Sequence, residues 1–105
     1  MPFIDTNAIE PWERRPGWRG RVYHSQNMTF AHWDFRKGSS IHEHHHPNEE
    51  VWYVIEGELQ ITVGGETRVG GPGTVAIVPL DVPHSIIALT DGRALVADHP
   101  VRPDG

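Results

Sequence analysis

The sequence predicts an all-β domain of short antiparallel strands closed into a sandwich or barrel, and three observations carry that expectation. Eleven glycines and 9 prolines punctuate 105 residues, a balance that suits neither long helices nor a disordered chain. The apolar runs between them are short and rich in Val, Ile and aromatic residues, the composition of half-buried strands. Several runs alternate apolar with polar, which is the period of a strand with one face inward. A chain of this length builds one core and one domain.

Eight strands are expected. Residues 28–35 alternate, with Thr29, Ala31, Trp33 and Phe35 on one side, and Arg36-Lys37-Gly38 turns the chain. Residues 41–46 come next and stop at Pro47-Asn48. Residues 50–56 end at Gly57. Residues 58–63 and 66–69 flank Gly64-Gly65, a two-residue hairpin in which both turn residues can take positive φ. After Gly70-Gly71-Pro72-Gly73, residues 74–78 run into a loop bounded by Pro79 and Pro83. Residues 84–89 and 94–98 are joined by Asp91-Gly92, another hairpin dipeptide. Residues 1–20 read as an irregular N-terminal arm ahead of a β-barrel domain at 21–105. Trp12 and Trp18 in that arm need a surface to pack on, which the barrel or a partner subunit would supply.

Charge and composition exclude several functions. The net charge is −5 with histidine neutral. No Lys/Arg block exists, because Arg14, Arg15, Arg19 and Arg21 are interleaved with Trp, Pro and Gly, so nucleic acid is not an expected partner. The absence of cysteine excludes disulfides and thiolate metal sites. Residues 1–15 lack the apolar run of a signal peptide. No stretch approaches the roughly 18 apolar residues that span a bilayer. A cytoplasmic protein with no membrane partner is expected.

Four of the 8 histidines fall within residues 41–47. On a strand His42, His44 and His46 share one face and His45 takes the other. Imidazoles at i and i+2 lie a few ångströms apart, a spacing that suits one metal ion. Glu50 follows the Pro47-Asn48 turn and reaches the same ion if the next strand pairs back. Three imidazoles and a carboxylate make a borderline-to-hard site for a divalent first-row metal. Taken alone, the run also reads as a solvated polar strand.

The larger frame resembles the cupin family. Its first motif places a Gly five residues before His-x-His, then a Glu after three or four residues and a Gly after six more. Gly38, His44, His46, Glu50 and Gly57 meet every spacing. Its second motif runs Gly, five residues, Pro-x-Gly, two residues, His, three residues, Asn. Gly73, Pro79 and His84 match, while Asp81 replaces the Gly and Ala88 the Asn. The resemblance spans residues 28–98 and implies a single-domain, jelly-roll-like antiparallel β-barrel. It implies His44, His46, Glu50 and His84 as ligands of one divalent transition metal ion (Mn, Fe, Ni, Co or Zn), with positions left open for water or substrate. His42 is then a spare on the ligand face, either behind the ligands or as an alternative to them. His24, His32 and His99 are read as surface or core residues, and Glu49 as a solvated charge. Trp52 and Val54 share a face with Glu50 and either wall a cavity or belong to the core. Asp98 shares a face with Ala94 and Val96. If that face looks inward, Asp98 is a buried carboxylate able to move protons; otherwise it ends the strand in a turn with Pro100.

Open metal positions suit a small-molecule substrate with two adjacent oxygens. Within the family, the chain is similar to small members of pectin and alginate breakdown that act on unsaturated monouronates. That likeness rests on size, the His-rich first motif, and Asp98 followed by Pro100 and Arg102. Glu50 stands where that group has Gln, and the interval from Asp98 to Arg102 is shorter. The expected function is a metal-dependent enzyme acting on a sugar acid or a keto/hydroxy compound by Lewis-acid-assisted proton transfer or ring opening, with Asp98 as the catalytic residue. An iron-dependent oxygenase and a non-catalytic sugar-binding protein are the alternatives. A homodimer is expected, because a small barrel leaves open sheet edges.

Overall fold

The computed structural model describes residues 2–103. A 3-10 turn at Thr6–Ala8 precedes ten strands: β1 (Trp12–Arg15), β2 (Trp18–His24), β3 (Thr29–Phe35), β4 (Ser40–His44), β5 (Glu49–Glu56), β6 (Leu59–Val63), β7 (Glu66–Gly70), β8 (Val75–Val78), β9 (His84–Ala88) and β10 (Gly92–His99). The eight expected strands are all present, with ends shifted by a residue or two. No helix among the described residues is long and apolar enough to cross a membrane.

The strands form a six-stranded sheet in the order β1-β2-β3-β10-β5-β8 and a four-stranded sheet in the order β4-β9-β6-β7. Every pairing is antiparallel. The chain is therefore an all-β jelly roll, and the expected barrel takes the form of two separately hydrogen-bonded sheets rather than one closed ring. Gly64 and Gly65 turn the β6–β7 hairpin at φ 55° and 86°. Gly57 is held at φ 80°, and a Cβ there would lie 2.3 Å from the Asp91 carbonyl oxygen, so that turn admits no side chain.

Alternation builds the core. On β3, Thr29, Ala31, Trp33 and Phe35 are buried with half-exposed residues between them. On β10, Ala94, Val96 and Asp98 face inward together. Leu59, Ile61 and Ile86 close the core from the smaller sheet. An aromatic cluster anchors one end: Trp18 packs edge-on against Trp33 at 6.5 Å and Trp52 at 6.0 Å.

The first 20 residues differ from the irregular arm that was expected. β1 and the start of β2 lie among them, and residue 20 falls inside β2. Trp18 is wholly buried within its own chain, whereas Trp12 is 51% exposed and carries the Arg14 guanidinium 5.6 Å above its ring. The alternation of these strands is hidden in the sequence by charged residues and by Gly17 and Gly20, the second of which leaves room for the Trp33 ring.

Candidate metal centre

Three segments converge on a cluster between the sheets. The β4 end supplies His44 and, just beyond it, His46; β5 supplies Glu50; β9 opens with His84. The ring centroids of His44 and His84 are 4.3 Å apart, those of His46 and His84 4.9 Å, and those of His44 and His46 5.6 Å. One ligand atom from each of these three imidazoles lies within 4.8 Å of the others. Glu50 Oε2 sits 3.2 Å from His46 Nε2 and 3.0 Å from His84 Nε2. The four residues expected as ligands are thus brought together.

The face assignment within the histidine run needs correction. Ile41 is buried, His42 is exposed, and His44 turns inward. The β4–β9 register slips between Ile41 and His44, a bulge that restarts the alternation. His42 therefore leaves the ligand face. It acts through its backbone instead, because its carbonyl oxygen accepts a hydrogen bond from His44 Nδ1 at 2.9 Å. Val82 O does the same for His84 Nδ1 at 2.9 Å. A carbonyl only accepts, so both rings carry a proton on Nδ1; His44 is left with Nε2 for a ligand, while His84 Nε2 faces the Glu50 carboxylate. His45 is exposed, 3.7 Å from Asp81 Oδ1. Asp81, standing where the motif has Gly, takes φ 59°; Asp tolerates this left-handed conformation better than most residues, and the turn survives the exchange.

The donor set fits a divalent ion. Three imidazoles and one carboxylate converge, two of the rings are oriented by backbone acceptors, the buried His46 Nδ1 lacks a hydrogen-bond partner, and His84 Nε2 meets Glu50 close by but without hydrogen-bond geometry. Such atoms inside a protein call for a partner, and this combination suits a first-row transition metal. Burial alone would push the Glu50 carboxyl up, yet His46 and His84 beside it prevail and hold it at about 2. Burial lowers His84, but the Glu50 carboxylate and the Val82 carbonyl outweigh burial and raise it. Burial lowers His44, which favours the neutral ring that a metal requires.

Asp98 is the inward carboxylate that the strand pattern allowed. It is 2% exposed, and its Oδ1 has no hydrogen-bond partner. Burial and the negative charge of Glu50 push it up to about 6, against the pull of Arg102. Arg102 Nη1 lies 3.6 Å from both Glu50 Oε1 and Asp98 Oδ2, joining the two acids. The backbone of Arg102 is held at both its polar groups. Its N–H donates to Thr29 Oγ1 at 2.8 Å, and its carbonyl accepts from the same hydroxyl at 3.1 Å. Asn48 Nδ2 secures the neighbouring Pro100 carbonyl at 2.7 Å.

A narrow cavity opens beside the cluster. Arg14, Arg15, Trp18, Trp33, Ile41, His44, Glu50, Trp52, Asp98 and Arg102 contribute to its lining. Trp52 is 3% exposed, so it belongs to the core and walls the cavity without offering an open face for stacking. The interior space is about 30 Å³, room for a water or two and far below the roughly 300–1,000 Å³ of a drug-sized ligand pocket. The sequence did not mark Arg14 and Arg15 as cavity residues, since residues 1–20 read as an irregular arm.

Comparison with known proteins agrees with this geometry. The Cupin domain family model matches residues 31–99. Polyketide synthase CurC of Streptomyces cyaneus is 35% identical over 65 residues, covering 61% of this chain and 42% of its own length, so the match spans less than half of that relative. The Streptomyces coelicolor protein SCO3923 is 33% identical over 76 residues, 71% of this chain and 72% of its own. Among solved structures, an RmlC-like cupin from Shewanella frigidimarina has a TM-score of 0.93 at 26% identity, covering 99% of this chain and 95% of that one. KdgF from Halomonas sp. has a TM-score of 0.91 at 22% identity, covering 99% and 97%, a likeness of fold alone.

Proposed function

The chain belongs to the cupin domain family, and from that premise we propose that it is a metal-dependent enzyme acting on a small oxygen-rich substrate, a sugar acid or a keto/hydroxy compound. His44, His46, Glu50 and His84 would hold one divalent transition metal ion. Bound there, the ion supplies Lewis acidity to substrate oxygens. Asp98 takes or returns the proton. Arg102 holds Asp98 in place and balances its charge. Trp18, Trp33 and Ile41 exclude water from the inner wall, which strengthens each electrostatic contact inside.

One observation carries this reading. Asp98 shares the cavity with the cluster, fully buried, and one carboxylate oxygen has no partner in the protein. A purely structural metal site does not require a buried acid with a free oxygen beside it, whereas a proton carrier needs an accessible oxygen at the site. The Streptomyces cyaneus relative is named a polyketide synthase, which favours keto compounds beside sugar acids in the assay.

The test is turnover of unsaturated uronates, followed by loss of C=C absorbance, alongside a panel of keto acids and hydroxy-ketones, with metal-replete protein. Turnover that vanishes in Asp98→Asn at unchanged metal content supports the proposal. Turnover only with iron and dissolved oxygen would replace it by an oxygenase. No turnover, with one compound raising the melting temperature, would make the protein a binding module.

A homodimer is also proposed. The outer face of β5 and the edge strand β8 exposes Tyr53, Ile55, Val75 and Ile77, with Tyr53 directly opposite Val75. Such a patch at an open sheet edge suits self-association.

A further inference from the structure

Strand β1 gives the cavity a positive rim. On a regular strand Arg14 and Arg15 would point to opposite faces. The β1–β2 pairing slips here, with Glu13 opposite Arg19 and Arg15 opposite Trp18, so Arg14 is the extra residue of a bulge. Both arginines are half-buried, and both line the cavity that contains His44, Glu50 and Asp98, with Arg102 as a third guanidinium. Arg102 has two carboxylates at 3.6 Å. Arg15 has no ion pair among the described residues, and burial with the charges of Arg14 and Arg102 pushes its guanidinium down.

Of the buried unmatched atoms on cavity-lining residues, two are donors and one, Asp98 Oδ1, is an acceptor. Trp18 Nε1 and Trp52 Nε1 are buried without hydrogen-bond partners, and both residues line the same cavity. Converging cations repel, and buried N–H groups need acceptors. A ligand that brings negative charge and several acceptor oxygens relieves both conditions. A planar carboxylate matches the fork of an arginine, and its size suits the narrow interior.

We propose that the rim is a carboxylate-binding site: Arg15, backed by Arg14, takes the carboxylate of a small organic acid whose remaining oxygens face the His44, His46, Glu50 and His84 cluster. This deepens the proposed function by narrowing the substrate to anionic molecules, and it rests on that reading only for events at the cluster.

The experiment is calorimetric titration of the metal-replete protein at low salt with malonate, pyruvate and D-galacturonate. Each acid is paired with its uncharged counterpart: malonamide, pyruvamide and D-galactose. At least one acid should bind about tenfold or more tightly than its counterpart. Arg15→Gln should weaken that acid by about ten- to a hundredfold, leave the counterpart unchanged, and keep the metal content of the parent. Arg15→Lys keeps the charge without the fork and should lose less. If Arg15→Gln does not fold, the Lys variant decides, and parental affinity for the acid overturns the proposal. Equal binding of acids and counterparts, or no acid binding at all, also overturns it. Arg15-dependent acid binding without turnover removes the enzymatic reading and leaves the carboxylate site standing. Turnover of an uncharged substrate, untouched by Arg15→Gln, does the reverse.

Discussion

Replacing Asp98 by Asn should stabilise the metal-free protein while abolishing its chemistry. The Asp98 carboxyl is raised from 3.8 to about 6 by burial and by Glu50. A raised acid binds protons more tightly folded than unfolded, so the native state loses stability as pH climbs from about 4 to about 6. Fully expressed at pH 7.5, that loss is at most about 3 kcal/mol. Asn is nearly isosteric and uncharged, and Arg102 keeps Glu50 as a partner at 3.6 Å. Even half of the available gain would raise the melting temperature by about 6–12 °C in a domain of this size. Thermal melts of chelator-treated parent and Asp98→Asn protein, from pH 4 to pH 8, measure it. The two curves should converge near pH 4 and separate above pH 6. An Asn variant no more stable than the parent at pH 7.5, or a difference that ignores pH, would refute the reasoning. Greater stability with lost turnover identifies an acid kept for function.

Alanine at His44, His46 or His84 should remove most of the metal measured by elemental analysis, while His42→Ala and His45→Ala should retain it; full occupancy in a His44→Ala, His46→Ala double variant would end the metal assignment. Occupancy should fall below about pH 6 as imidazoles protonate, and it should not follow Glu50, which stays ionised down to about 2; equilibrium dialysis across pH checks both. Ile77→Glu should shift sedimentation toward monomer without changing metal content, and a parent already monomeric at micromolar concentration removes the dimer. Trp18→Ala should cost about 3–5 kcal/mol in urea unfolding, because its ring is wholly buried among Trp33, Phe35 and Trp52.

Much of the fold was legible because its strands obey simple periodicity. β3, β5 and β10 alternate cleanly, and the same rule that placed Trp52 and Val54 with Glu50 also placed Asp98 with Ala94 and Val96. Gly64-Gly65 marked a hairpin through a requirement of local backbone geometry, whereas Asp91-Gly92, expected as a hairpin too, carries the chain from β9 in the smaller sheet to β10 in the larger. β1 and β2 were illegible for the same physical reason in reverse. The inner positions of β2 include Gly20, which carries no side chain to signal a face, and Trp18 is one buried residue among arginines. The ligand set was legible through motif spacing, because turns at Gly38 and Gly57, at φ 85° and 80°, bracket a fixed number of residues. The part played by the Thr29 hydroxyl was not legible, since it is a contact 73 residues away along the chain, at Arg102.

Of the three register slips among the described residues, two occur at the cavity, and the third lies between Arg93 and Ala94 where β10 meets β5. At β4 the slip between Ile41 and His44 removes His42 from the ligand face and turns its carbonyl onto His44 Nδ1. At β1 the slip between Glu13 and Arg15 turns two consecutive arginines toward one space. A regular strand has a period of two and cannot place adjacent residues, or residues three apart, on one face. A bulge can, at the cost of one unpaired ladder position. The inward apolar residues of β3 bury their share of the core on a regular strand. The slips at β1 and β4 change which side chains line the cavity, so at those two places a departure from periodicity carries site information that the periodic strands lack.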